Sequence, residues 1–218
     1  MVKRRCGFRN APTGGSVRRN VMRMRTLLLT MASAVTMWAS RGTDLYQANQ
    51  FAEAENALRE EVSAQGDNWQ TQYALGMTLL RLNKVNEAQE VLRKAATLNP
   101  DSVDPPLGLA EAAAHEKNFD EARQLVEEAA KIDKDSANLA YVRGVIKAGQ
   151  RDFKGAVQDL EQATAKDDRN AYAHYYAGLS YNSLKRPDKM IEHFQKFMKL
   201  ANKAPEADRV QSILRTAR

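Results

Sequence analysis

Three histidines, one cysteine and scattered carboxylates are the residues of this chain that could do covalent or metal chemistry. His115, His174 and His193 lie far apart in sequence, and none sits in a His/Cys/Asp cluster with metal-ligand spacing. The expected role of a histidine here is surface or groove lining. No serine has a Gly-x-Ser-x-Gly context, and Gly14-Gly15-Ser16 lacks the lysine of a phosphate-binding loop. Glu53, Glu55, Glu60 and Glu61 read as a solvated helix face rather than paired catalytic carboxylates, and no calcium loop is present. Cys6 stands alone, which sets no disulfide requirement. The expectation is no catalytic residue, no metal and no cofactor, so the chemistry to look for is recognition.

Recognition needs a surface, and several segments carry two apolar faces. In Trp69–Asn83 the side made by Leu75, Leu79 and Leu82 is one stripe at about 100° per residue. Tyr73, Met77 and Leu80, with Arg81 beside them, point the opposite way, so a second face must also be covered. Leu107, Glu111 and His115 take the matching places further on, as do Tyr141 and Val145. Tyr172, Tyr175, Leu179 and Asn182 do so near the end.

The elements that position these residues recur every 34 residues. Gly42, Gly76, Ala110, Gly144 and Gly178 keep that step, as do Ala54, Ala88, Ala122, Ala156 and Met190. Leu58, Leu92, Val126, Leu160 and Phe194 follow it too, without insertion or deletion. A fixed period of this length predicts stacked units rather than one globular core. In the copy 69–102 a first helical stripe ends at Asn83-Lys84. A second, made by Val85, Ala88, Leu92, Ala95 and Ala96, ends at Asn99-Pro100, because proline cannot continue a helix. Each unit is therefore a helical hairpin. Glycine inside a helix costs about 1 kcal/mol relative to alanine, so its recurrence predicts a close helix–helix approach.

These residues resemble the tetratricopeptide repeat, whose frame is W-x2-L-G-x2-Y, A-x3-F and P. Leu75-Gly76-x2-Leu79, Ala88-x3-Leu92 and Pro100 carry the best match. Leu109-Ala110 with Ala122-x3-Val126, Gly144 with Ala156-x3-Leu160, and Gly178-x2-Tyr181 with Phe194 carry the others. The frame departs at Lys134, Asp168 and Asn202, which replace the proline and predict polar capping. It departs again at Lys147, Arg41 and Glu61, which are polar at places usually buried.

The expected fold is all-α: a right-handed superhelical solenoid of about five helix-turn-helix repeats, framed at 35–68, 69–102, 103–136, 137–170 and 171–204. A capping helix over 205–218 follows, with Val210, Ile213 and Leu214 as its apolar stripe. The resemblance implies a concave groove lined by Tyr73, Met77, Arg81, Glu111, His115, Tyr141, Tyr172, Tyr175 and Asn182. Such a groove would take a peptide, helix or protein partner. A Lys/Asn carboxylate clamp is absent: Tyr73, Met77 and Leu107 hold its places. The alternative is an assembly or dimerisation module acting through the terminal helix. No small-molecule substrate is expected.

Composition divides near residue 25. Residues 1–25 hold eight Lys or Arg and no acid, and taking those from 33 leaves 25 bases against 27 acids. The basic character belongs to this leader, so no nucleic-acid partner is expected for the rest. Thr26–Ser40 is apolar, uncharged and short for a membrane span. A basic stretch before such a run is the layout of a secretory signal, which predicts export to a bacterial periplasm or cell exterior. Membrane anchoring by this segment, organelle targeting and a plain first helix of copy one are the alternatives.

Overall fold

The computed structural model describes residues 41–64 and 68–217; the basic leader, the apolar segment and residues 35–40 of the first copy lie outside them. The described residues form eleven helices and no strand. Copy one holds α1 (Arg41–Gln47) and α2 (Phe51–Ala64), copy two α3 (Trp69–Arg81) and α4 (Val85–Leu98), and copy three α5 (Asp104–His115) and α6 (Phe119–Ile132). Copy four holds α7 (Ala137–Gly149) and α8 (Phe153–Lys166), copy five α9 (Ala171–Ser183) and α10 (Pro187–Leu200), and α11 (Ala207–Thr216) follows. Successive first helices, α1, α3, α5, α7 and α9, pack side by side as an inner wall, and each is backed by the second helix of its hairpin.

The recurring glycine has a steric cause. A Cβ on Gly76 would stand 2.5 Å from Leu92 Cγ, and one on Gly178 would stand 2.5 Å from the Phe194 ring. The large residue of the second helix sits in the notch that the missing side chain leaves, and Leu92 and Phe194 are fully buried there.

Each hairpin turns through one left-handed residue, and these too are 34 apart: Asn49, Asn83, Lys117, Arg151 and Lys185, with φ between 56° and 65°. At the first helix end of copy two, Asn83 N–H donates to Leu80 O (3.0 Å) and Lys84 N–H to Leu79 O (2.8 Å). This pair of bonds is the Schellman arrangement, which satisfies the orphan carbonyls of a helix end. The same two bonds close the other four hairpins.

Two expectations are corrected in detail. The polar residues that shape the links between copies stand one place before Lys134 and Asp168. Asp133 Oδ1 accepts from Asp135 N–H (2.9 Å), and Asp167 Oδ1 accepts from Arg169 N–H (3.0 Å). Arg41 is exposed rather than buried. Glu61 is buried, and its Oε1 accepts from Gly42 N–H at 2.9 Å. Lys147 reaches Asp159 at 2.6 Å, so its apolar stem covers the helix contact while its charge is paired.

Curvature brings the two ends of the array together. Asn49 Nδ2, at the copy-one turn, donates to Leu200 O at the end of α10 (3.2 Å). Phe51 meets the Tyr172 ring with centroids 6.3 Å apart, and Tyr46 backs Phe51 at 5.8 Å. This contact between copies one and five is termed the clasp. Helix α11 packs on α10, with Val210 fully buried and Ile213 and Leu214 partly so.

Candidate partner-binding concave face

One side chain ties four copies across the concave side. Arg81, at the end of α3, lies against Glu111 of α5 through Nη1–Oε1 (2.6 Å) and Nη2–Oε2 (3.3 Å). Its Nη2 also donates to the Tyr141 hydroxyl of α7 (3.3 Å), and that hydroxyl donates to Glu111 Oε1 (2.6 Å). The guanidinium carbon stands 3.8 Å from the centre of the Tyr172 ring of α9, within cation–π range. Side-chain exposure is 5% for Arg81 and 1% for Glu111, so both charges are withdrawn from water.

Burial opposes both charges, and the partners overcome it. Burial pushes the Glu111 carboxyl upward, but the Arg81 charge and hydrogen bond outweigh it and hold it below the ordinary carboxylate value. Burial likewise opposes the Arg81 charge, and Glu111 reverses this and keeps it well above its usual value. The Tyr141 hydroxyl is raised, first by burial. A buried ion pair is not in itself strong stabilisation, because desolvation offsets the attraction; breaking one costs about 3–5 kcal/mol.

This knot separates two cavities. Cavity one, about 490 Å³, lies beside the clasp and is lined by phenols and amides: Tyr46, Tyr73, Tyr141 and Tyr172 with Asn138 and Asn170, and by Arg81 and Met77. Asn138 Nδ2 donates to Tyr73 OH (3.3 Å) and to Asp104 Oδ1 (3.1 Å), so the amide is fixed by copies two and three. Tyr172 OH donates to Glu206 Oε2 (2.9 Å). Cavity two, about 410 Å³, lies at the C-terminal ends of α5, α7 and α9. Val145, Leu179 and Tyr176 line it, with His115, Asn182 and Arg209 among its polar residues.

The nine residues expected in one groove are thus divided. Tyr73, Met77, Arg81, Tyr141 and Tyr172 border cavity one, and His115 and Asn182 border cavity two. Glu111 lies inside the knot, and Tyr175 packs on Phe197 and Tyr176. Met77, Arg81, Glu111, Tyr141, Tyr172 and Tyr175 are buried by the array itself, so they do not form an open tyrosine-lined trough. The curvature that makes the wall concave also brings its side chains into contact. Sequence reasoning misses Tyr46, Asn138 and Arg209. The 34-residue step locates Asn138, which holds the place of Asp104, and Tyr46, which holds the place of Leu80 and Asn182, whereas Arg209 lies beyond the repeats and nothing marks it.

His174 and His193 depart from the surface or groove role expected of them. Both are buried in copy five with Nδ1 to Nδ1 at 3.0 Å. Among the described residues, no group of three or more His, Cys, Asp or Glu side chains could hold a metal ion, and no helix is long and apolar enough to cross a membrane.

Comparison with known proteins agrees with this architecture. Two tetratricopeptide repeat models match, one over residues 40–103 and 141–205 and the other over 79–146. A thermophilic tetratricopeptide repeat protein of Thermus thermophilus is similar in structure, with TM-score 0.67 and 20% identity, over 84% of this chain and 98% of that one. A chain of the APC/C hetero-tetramer Cut9–Hcn1 gives TM-score 0.65 at 16% identity, over 84% of this chain and 36% of that chain. MamA of Desulfovibrio magneticus gives 0.48 at 18%, over 78% and 97%. No curated protein matches. Repeats of this kind are in general non-catalytic scaffolds for protein–protein interaction. With matches running across copies one to five, the chain belongs to the tetratricopeptide repeat family.

Proposed function

We propose that this chain receives a peptide or protein partner on its concave side, at cavity one, and catalyses no reaction. The observation that carries the reading is the composition of that cavity. Phenols and amides from four copies face one space of about 490 Å³, within the range of ligand sites. Tyrosine offers a large contact area at low conformational cost and keeps a hydroxyl for hydrogen bonding. The Arg81 knot, in which both terminal nitrogens of the guanidinium are hydrogen-bonded to other copies, supplies a rigid floor. Tyr46, Tyr73, Asn138 and Asn170 remain partly exposed in this lining and are open to a partner, and Tyr73 and Asn138 are joined by a hydrogen bond.

The test is affinity capture with the full chain, comparing Tyr73→Ala and Asn138→Ala with Glu90→Ala on the outer face. The reading predicts loss of the captured partner in the first two and full recovery in the third. Equal recovery in all three folded variants would discard it.

The assembly alternative has a narrower footing. Val210 is spent inside the chain, which leaves Ile213 and Leu214 as its contact residues. Light scattering of the full chain separates the readings, since a monomer that still captures a partner removes the alternative. Export directed by residues 1–40 also belongs to this proposal, and the mass of the mature N-terminus tests it.

A further inference from the structure

Copy five contains two buried imidazoles with no role in the concave face. His174 is on α9 and His193 on α10, each 6% exposed. Their Nδ1 atoms are 3.0 Å apart while the ring centroids are 5.2 Å apart, so the nitrogens point at each other. A divalent ion needs two nitrogens converging on one point about 2.0 Å from each, which this head-to-head approach does not provide. The occupant of the gap is a proton.

The surroundings fix which nitrogen carries it. His174 Nε2 faces Asp168 O at 3.3 Å and Asp168 Oδ1 at 3.4 Å, two acceptors, so it holds a hydrogen. In the neutral ring Nδ1 is then an acceptor, and His193 Nδ1–H donates to it. One added proton can go to His193 Nε2 and leave the bond intact. A second must go to His174 Nδ1, which sets two N–H groups head to head and breaks the bond. The charged and titratable groups around the pair are mixed in sign. Tyr181 of α9 stacks on His193 at 5.6 Å and donates to Glu161 of α8. Asp168 of the α8–α9 link pairs with Lys196 of α10, and Glu192, Lys189 and Lys199 lie on α10. Burial, the largest influence on each ring, lowers both histidines below the ordinary imidazole value.

Copy five is also half of the clasp. Tyr172 is two residues from His174, and Leu200 ends the helix that carries His193. Asn170, Ala171 and Tyr172 line cavity one.

We propose that the His174–His193 pair is a proton-operated fastener of copy five, closed near neutrality and released by acid, and that its release loosens the clasp. The imidazoles of the unfolded chain are half-protonated near pH 6.5, whereas the folded pair resists protonation. The stability the pair contributes is therefore complete above about pH 6.5 and declines as the pH falls below it. This inference stands whether or not cavity one takes a peptide.

The test is hydrogen exchange of the full chain at pH 7.0 and 5.0, corrected for the intrinsic pH dependence of exchange. Wild type should exchange several-fold faster at pH 5.0 in 171–200 and in the clasp segment 47–53, with little change in α5–α8. His193→Gln keeps a donor for His174 without an imidazole and should abolish the acceleration. His193→Phe, which keeps a ring against Tyr181, serves if that variant does not fold. Equal acceleration in the variant, or none in wild type, overturns the proposal.

Discussion

Two buried polar contacts hold the array, one inside the concave wall and one between the two helices of copy five, and they treat ionisable side chains in opposite ways. Arg81 and Glu111 meet as full charges, each compensated by the other and by Tyr141 and Tyr172. His174 and His193 meet as neutral rings joined by one hydrogen. The first resists titration over the ordinary pH range, because each partner stabilises the charged form of the other. The second is vulnerable, because burial disfavours the charge that mild acid imposes. Buried polar groups in one repeat array can thus serve as a permanent fixture or as a release, depending on whether the contact consumes charge or excludes it.

The largest expected effect breaks the charged contact. Glu111→Ala leaves Arg81 buried without its counter-ion and should cost about 3–5 kcal/mol in urea unfolding. Replacing both partners, as Arg81→Met with Glu111→Leu, should recover most of that loss, and a double variant no better than the single would refute full desolvation of the pair. Next is the notch. Gly178→Ala sets a Cβ 2.5 Å from the Phe194 ring and should cost about 1–3 kcal/mol in the same assay.

Acid separates the two contacts by pH window. The histidine contribution falls away below about pH 6.5. The Glu111 contribution is present above the unfolded carboxylate value, about 4.3, and is lost as the pH falls from there towards its lowered folded value. Thermal unfolding against pH should show both limbs, and His193→Gln should flatten the upper one alone. The smallest effect concerns the turns. Lys117→Gly relieves a left-handed lysine at φ 62° but frees the unfolded chain, so a net gain of a few tenths of a kcal/mol in unfolding free energy is expected.

How far these features were legible follows from their sequence separation. The notch of Gly76 on Leu92 spans one hairpin and repeats down the chain, so spacing alone revealed a close approach. The left-handed turn repeats just as strictly, yet Lys117, Arg151 and Lys185 carry no residue-type signal for positive φ; only Asn49 and Asn83 do. The wall residues were found from helical facing, but their burial was not. Arg81 reaches Glu111 30 residues away and Tyr141 60 away, and Asn49 reaches Leu200 across 151. Those contacts depend on rotation accumulated over several copies, which no single repeat encodes. The His174–His193 contact spans only 19 residues. The antiparallel hairpin that seats Phe194 on Gly178 also brings these rings together, so this one could have been found from register.

The central claim is that the array closes on itself, with copy one held against copy five beside the Arg81 knot. Spin labels at the exposed positions Gln47 and Asn202, in a Cys6→Ser background, measure that closure directly by electron–electron dipolar spectroscopy at pH 7.5. A closed array predicts a single narrow distribution at short distance, broadened by Glu111→Ala. A broad, long-distance distribution in the unaltered chain would contradict the clasp and the cavity beside it.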